Sequence, residues 1–395
     1  MNILNENDVI VDSFEGIATG GNISLDGSST YRRSGNMSML FNKKYNLIPK
    51  PDSKIWFNKR VEIKVGLEDH FKEVIWFNMG RFAIDEVSLN LTLSEKTISC
   101  QLKDYMSLID GTLGGKMSHR VVIDEGTPIN EAIKSVLSGL GKVSVEDMKI
   151  NGIDLKLPYT IEKEVGSTVY EIAMEIVNLY QGYDFYCDEN GYYTVEKIRD
   201  KKNDPIIDTF DGTDSDMSID MSPSMDFKNV KNSIWIWGRQ LDDGTQIKWS
   251  YKNKYVRNYK TDLNNIRDMD NGDICHIENE DSSYMWDSKG WVLLDFKVNP
   301  TFNIENIGEK IFSESDSNIF NENQAKMKAE YEIQQRSNMA ETIGFSCVPL
   351  YYLDVFNKIH INIDNDIKGD YLITGIGVPL DISSTMTITS EKLNN

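Results

Sequence analysis

Val87-Ser88-Leu89-Asn90-Leu91-Thr92-Leu93-Ser94 decides the fold class, because apolar and polar residues alternate along it without a break. A period of two puts Val87, Leu89, Leu91 and Leu93 on one face of a β-strand and leaves the other face wet. Upstream, Val61, Ile63, Val65 and Leu67 alternate in the same way with Glu62, Lys64, Gly66 and Glu68. Downstream, past a polar Ser94-Glu95-Lys96 turn, Ile98, Cys100 and Leu102 continue the pattern, so residues 86–104 are predicted to form a hairpin. The expectation for residues 1–118 is an antiparallel β domain closed as a barrel or sandwich.

The pattern changes after Asp110-Gly111-Thr112-Leu113-Gly114-Gly115. Ile129, Ile133, Val136, Leu137 and Leu140 recur at helical spacing, with Thr127 placed to cap, Pro128 at the first helical position and Gly139 and Gly141 at the end. A second helix is predicted from Thr168, which stands three residues before Glu171 as a capping box requires. Val169, Ile172, Ala173, Ile176 and Tyr180 point inward and Gly182 is the stop. Tyr183 to Cys187, the turn Asp188-Glu189-Asn190-Gly191, and Tyr192 to Ile198 form a hairpin. Residues 119–200 therefore read as a small α/β domain.

From about Asp204 the chain is β again. Ile234-Trp235-Ile236-Trp237 is apolar on both faces, as a strand covered on each side would be. Residues 240–320 are polar and loop-rich and read as an inserted arm. A third helix at about Asn323 to Arg336, with Ala325, Ala329 and Ile333 on one stripe, precedes strands at Thr342 to Val348, Lys358 to Ile363, Tyr371 to Ile376 and Ser384 to Thr389. The fold class expected is α+β and β-rich: a β-barrel domain over 1–118, a small α/β domain over 119–200, and a second β-barrel domain over 201–395 carrying the arm.

The chain has 395 residues, long enough for more than one core, and 40% hydrophobic content places it among ordered globular proteins. Its 62 acids against 42 bases give a formal net charge of −20, which opposes general binding to nucleic-acid phosphate. The same sign suits the wall of a passage for DNA, since like charge keeps the polymer from sticking. Cys100, Cys187, Cys275 and Cys347 are scattered without CxxC spacing, so neither a disulfide framework nor a zinc knuckle is expected. The start, Met1 to Asp8, lacks a basic and then apolar leader, and no apolar run is long enough to span a membrane, so folding in a cytoplasm is expected.

No motif carries chemistry. Gly344-Phe345-Ser346-Cys347-Val348 lacks the final glycine of a nucleophile elbow and falls in a predicted strand. Gly111 to Met117 is one residue short of a phosphate-cradling loop, with Met117 where the magnesium-binding hydroxyl belongs. His70, His119, His276 and His360 lie far apart, and the adjacent Cys275 and His276 would point to opposite sides of a strand. Asp364-Asn365-Asp366-Ile367-Lys368-Gly369 starts like a calcium loop, but Lys368 takes a ligand position and Gly375 replaces the bidentate Glu. Asp268, Asp270 and Asp273 read as a solvated loop. Tyr284, Trp286 and Trp291 could form a sugar platform but read more simply as core or interface. No catalytic, cofactor-binding or metal residue is assigned, no cofactor is expected, and the chain reads as a non-enzyme.

Three segments resemble the baseplate hub proteins of phage tails and related contractile injection machines. The first runs from Trp76-Phe77-Asn78-Met79-Gly80-Arg81-Phe82-Ala83-Ile84-Asp85-Glu86 through Ile98 to Gly111. The second is the helix from Thr168 to Gln181 with Gly182-Tyr183-Asp184-Phe185-Tyr186 and Gly191-Tyr192-Tyr193-Thr194-Val195. The third spans the Ala325 to Arg336 helix, Val348-Pro349-Leu350, Lys358-Ile359-His360-Ile361, Gly369 to Thr374 and Pro379-Leu380-Asp381. The resemblance implies a virion protein with two tail-tube-like barrels per chain, assembled in the host bacterial cytoplasm. It implies a homotrimeric ring whose pseudo-sixfold face joins the tail tube or a distal tail protein to a tip or spike protein. Tape-measure protein and DNA would pass through the channel without specific binding, and no membrane is involved. Two other functions compete: a tail-associated hydrolase of peptidoglycan or polysaccharide, which would need two carboxylates at a fixed separation, and a receptor-binding adhesin using the 240–320 arm.

Overall fold

A computed structural model describes every residue except 41–44, 92–95, 140–142, 181, 199–200, 212–219, 242, 364–366, 382 and 394–395. Parts of several sequence expectations lie outside the described residues: Leu93, Ser94 and Glu95 of the first turn, Leu140 and Gly141 at the first helix end, Gln181, and Asp364 to Asp366 of the calcium-like loop.

The chain opens with strands β1 (Asn2–Leu4), β2 (Ile10–Ser13), β3 (Ala18–Asp26), β4 (Arg33–Leu40), β5 (Arg60–Glu68), β6 (Val74–Leu91) and β7 (Lys96–Lys103). An α/β lobe follows: β8 (Val121–Ile123), α1 (Ile129–Ser138), β9 (Met148–Ile150), β10 (Ile161–Lys163), α2 (Val169–Asn178), β11 (Tyr183–Cys187) and β12 (Tyr193–Lys197). Then come β13 (Ile206–Phe210) and β14 (Asp220–Asp226). The next stretch holds β15 (Ser233–Gln240), β16 (Gln246–Arg257), β17 (Asp273–Ile277), β18 (Ser282–Trp286), β19 (Trp291–Leu293), β20 (Ile311–Ser315), the short α3 (Ile304–Ile307) and α4 (Glu322–Arg336). The chain closes with β21 (Ala340–Cys347), β22 (Lys358–Asn362), β23 (Lys368–Pro379) and β24 (Met386–Lys392).

Strands from the two ends of the chain share one sheet, in the order β14-β21-β24-β23-β3-β4-β7-β6-β5-β1-β2, with β22 also on β23 and β13 on β22. The seam is β23 against β3, antiparallel, with Ile376 opposite Leu25 and Val378 opposite Ile23. A register shift between Ile373 and Gly375 bends β23, so that its first half pairs with β22 and its second half with β3. One apolar core runs under both ends: Ile23, Met37, Phe82 and Ile98 cluster with Phe210, Phe345, Ile359, Ile373 and Ile388. Among the described residues no pairing joins β14 to β2, so the sheet path is open rather than closed into a barrel.

The alternation in β5 is visible in its burial. Val61 and Ile63 are 2% and 3% exposed, whereas Leu67, nearer the turn, is 42% exposed. Glu62 is also buried, because Asn2 Nδ2 donates to its carboxylate at 2.7 Å and Arg81 Nε at 3.3 Å. The predicted hairpin of 86–104 is present, with Val87 opposite Cys100 and Leu89 opposite Ile98.

The α/β lobe is built from an internal repeat. Val121 corresponds to Ile161, Gly126 to Gly166, Ile129 to Val169, Ala132 to Ile172 and Val136 to Ile176, each pair equally spaced. The two copies face each other about a pseudo-twofold axis: β8 and β10 are antiparallel, with Val122 opposite Glu162 at the centre. The flanking bonds repeat too, since Met117 N donates to Ser167 O at 2.9 Å and Leu157 N to Thr127 O at 2.9 Å. The helices then bury Ile129, Ile133 and Val136 against Val169, Ile172 and Ile176. The capping box at α2 is complete: Thr168 N donates to Glu171 Oε2 at 2.9 Å and Glu171 N to Thr168 Oγ1 at 3.1 Å. At α1 the expected Thr127 cap does not form. Thr127 Oγ1 donates to Asp124 O, Pro128 stands at the cap, and Ile129 N is satisfied by Leu155 O of the adjoining segment at 2.9 Å.

Ser224–Thr342 is a second unit, separate from the one formed by Met1–Pro223 and Ile343–Leu393. The stretch expected to be loop-rich carries β16 to β20, which with β15 form a sheet in the order β19-β18-β17-β16-β15-β20, joined by longer irregular segments. Lys248, Ser250, Lys252 and Lys254 on the less buried positions of β16, and a buried Asn253 among its core positions, hide its period from a composition-based reading. Helix α4 buries Ala325, Ala329 and Ile333 on Ile234, Ile236 and Tyr251. The expectation that Ile234 to Trp237 is covered on both sides needs correction: Ile234 and Ile236 are fully buried, but Trp235 and Trp237 on the opposite face are only partly so.

Candidate functional site

The positions weighed for chemistry are packed or solvated, each for a local reason. Ser346 lies in β21 between buried Phe345 and Cys347. The Gly111 to Met117 segment is a turn with Gly111 at φ 96° and Gly115 at φ 91°. A Cβ on Gly115 would fall 2.2 Å from the Ile109 carbonyl carbon, so glycine serves close backbone approach there. All four cysteines are buried and free, and desolvation pushes the Cys100, Cys275 and Cys347 thiols up to about 12. Asp273 is buried and paired with Lys254 Nζ at 2.7 Å, while Asp270 is exposed. Trp286 and Trp291 are cross-strand partners packed edge to face at 5.6 Å, beside a buried Tyr284. Among the described residues, no group of three or more His, Cys, Asp or Glu side chains could hold a metal. Nor is any helix among them long and apolar enough to cross a membrane.

One cluster has the composition of a hydrolytic relay that the sequence did not reveal. His276 Nδ1 lies 3.2 Å from Ser283 Oγ, and its Nε2 lies 3.8 Å from Asp281 Oδ1. Ser283 is fully buried, however, and its Oγ already accepts from Val298 N at 3.1 Å. No carbonyl can reach that hydroxyl, and burial lowers the imidazole pKa, keeping the ring neutral. The trio ties β17 and β18 to the chain at Val298.

Polar residues also fasten the α/β lobe to the large sheet. Arg32 and Arg33, both nearly inaccessible, pair with Asp184 and Asp354 respectively. The Arg32 guanidinium stacks on the Tyr186 ring at 3.6 Å. Asp104 accepts from Arg33 N and Met106 N, each at 3.0 Å; burial raises its carboxyl pKa to about 7, against the pull of those donors and both arginines. A cleft of about 410 Å³ opens beside this joint, lined by Arg32, Asp188, Glu196, Lys201, Asp204 and Lys358 among others. Its charges pair off locally, as Lys149–Asp188, Lys201–Asp204 and Lys358–Asp370. It presents no activated nucleophile.

What the first unit does expose is apolar sheet. Beyond Val65 the β5–β6 hairpin carries Leu67, Phe71, Val74, Ile75 and Trp76, from 42% to 74% exposed. Trp76 stands opposite Gly66, and a Cβ there would meet its ring at 2.9 Å, so the glycine makes room for the indole. At the open end of the sheet, Ile10 and Val11 of β2 are 53% and 45% exposed, and Val9 before them 57%. An uncovered apolar edge strand is a template for pairing, and contiguous exposed apolar surface marks an interaction site.

No protein-family model and no curated protein matches the sequence. Solved structures do match over its whole length. A tail protein from Neisseria meningitidis MC58 is 12% identical and aligns 99% of this chain with 95% of its own at a TM-score of 0.60. The 43 kDa tail protein of prophage MuSo2 from Shewanella oneidensis is 11% identical, with 99% and 98% covered and a TM-score of 0.56. A chain of the Francisella PdpA–VgrG complex is 11% identical, with 99% of this chain on 52% of that one and a TM-score of 0.53. The chain has the β-rich α+β fold of these phage tail and VgrG-type proteins, and its resemblance to the tail baseplate hub holds at the level of fold.

Proposed function

We propose that this chain is a structural subunit of a phage-type tail, a baseplate or tip hub that works by geometry rather than by turnover. The observation that carries this reading is the open sheet edge at β2 with the apolar β5–β6 hairpin in the same half of the sheet. A closed ring of copies would cover both. In this reading residues 1–118 and the β strands of 201–395 form two tube-like modules, 119–200 is the lobe between them, and 240–320 is an arm. Three copies set six such modules around an axis and join a sixfold tube to a threefold tip or spike. The acidic balance of −20 suits a channel through which tape-measure protein and DNA pass without adhering. The protein acts in the virion tail after assembly in the host bacterium. Native mass spectrometry tests this: a trimer with interfaces above about 2,000 Å² is expected of an obligate ring.

A further inference from the structure

Asn151-Gly152 stands apart from the other Asn–Gly pairs of the chain, Asn190-Gly191 and Asn271-Gly272. Asparagine followed by glycine is open to attack on its own side chain, because glycine has no Cβ to screen its amide nitrogen from the neighbouring carboxamide carbon. The nitrogen attacks only after losing its proton, and a hydrogen bond from that N–H to a backbone carbonyl opposes the loss and fixes the peptide. Gly191 N donates to Asp188 O at 3.0 Å and Gly272 N to Trp286 O at 2.9 Å, and both glycines are buried. The Asn190 side chain is held as well, accepting from Asn78 Nδ2 at 3.2 Å and donating to Glu189 Oε1 at 2.9 Å. The Asp–Gly pairs among the described residues, where the same attack is slower, are tied in the same way: Gly27 N donates to Thr374 O, Gly111 N to Gly114 O and Gly244 N to Leu241 O. Gly152 N has no acceptor among the described residues. Asn151 and Gly152 are both exposed, in the irregular segment that follows β9.

We propose that Asn151 is the chain's principal site of spontaneous deamidation and isomerisation, and that this modification loosens the α/β lobe. Nothing in this chemistry depends on the hub reading. The Gly152 nitrogen, its proton given up to hydroxide, forms a bond to Asn151 Cγ; the bond from Cγ to the side-chain nitrogen breaks, and ammonia leaves with a proton taken from water. Water then opens the resulting succinimide at one carbonyl or the other, giving aspartate or isoaspartate. Either product adds a negative charge to a chain whose formal net charge is already −20. Isoaspartate also adds a methylene to the main chain between Ile150 and Ile153, which are 0% and 1% exposed in the lobe core. Ile153 N is tied in addition to Asn130 Oδ1 at 3.2 Å. Two anchors so close in the chain, both in a close-packed core, cannot absorb the extra length without disturbing their packing.

The test is peptide mapping by mass spectrometry of the full chain after weeks in mildly alkaline buffer at physiological temperature, with fragmentation that separates isoaspartate from aspartate, and of the same chain held unfolded in urea. The proposal expects Asn151 to convert about tenfold or more faster than Asn190 and Asn271 in the folded protein, since each of those glycine amides must first give up a backbone hydrogen bond. In urea the three rates should converge. Aged wild type should then unfold at a lower urea midpoint than aged Asn151→Gln, whose longer side chain closes the ring far more slowly. Equal rates at the three sites in the folded protein, conversion led by Asn190 or Asn271, or no conversion at Asn151 would overturn the site. An unchanged midpoint in protein shown to carry isoaspartate there would overturn the loosening.

Discussion

Two regions of the same large sheet treat their apolar residues in opposite ways. At the β3–β23 seam, Ile23, Leu25, Ile376 and Val378 are at most 5% exposed, each strand covered by the other end of the chain. At the far end, Ile10 and Val11 of β2 and the outer half of the β5–β6 hairpin carry residues of the same type and leave them open. Strand periodicity says that an apolar face will be covered; it does not say by what. At the seam the cover comes from the same polypeptide, and at the edge the proposed cover is another copy.

The contrast can be broken at the seam with the largest effect. Phe345, 4% exposed and packed on Phe210 at 4.7 Å, lies in the core that both chain ends share. Phe345→Ala is expected to destabilise the first unit by about 3–5 kcal/mol, read as a lowered urea midpoint. Substitutions at the open end should do the reverse: Ile10→Lys and Trp76→Glu should change monomer stability by no more than about 0.5 kcal/mol and yet abolish assembly in analytical ultracentrifugation. A loss of stability at the edge as large as that at the seam would erase the distinction.

A smaller effect concerns the joint at Asp104. Its folded pKa is raised from 3.8 to about 7, so its contribution is fully present below about pH 4 and is lost as pH rises to about 7. Urea titrations of wild type across that window should show stability falling with pH, and Asp104→Asn should flatten the slope. The variant should also cost about 1–3 kcal/mol at its best pH, because Arg33 N and Met106 N donate to different carboxyl oxygens and a carboxamide nitrogen cannot accept in place of one of them. The least of these effects is Thr168→Ala at the α2 capping box, expected to cost about 1 kcal/mol by thermal melting.

Much of the local structure was legible. The capping box at Thr168, the β11–β12 hairpin, the α4 stripe of Ala325, Ala329 and Ile333, and the four closing strands follow from periodicity and turn chemistry that act within a few residues. The seam was not, because Leu25 and Ile376 meet across nearly the whole chain and alternation carries no partner's name. The lobe repeat was present in the sequence as Gly126 and Gly166 ahead of matching helices, but the pairing about its twofold axis emerges only from the fold. The relay-like trio of His276, Asp281 and Ser283 stands on two adjoining strands and the turn between them, a placement that motif spacing does not express. That Trp235 and Trp237 are less buried than Ile234 and Ile236 was hidden because a run of four apolar residues reads alike whether one or both faces are covered.

Mass measurement of the purified chain by multi-angle light scattering over a range of concentrations, with Ile10→Lys alongside, addresses the covered edge most directly. The account predicts a trimer for the wild type and a folded monomer for the variant. A wild-type protein that stays monomeric at every concentration, with its β2 edge exchanging freely with solvent, would contradict it.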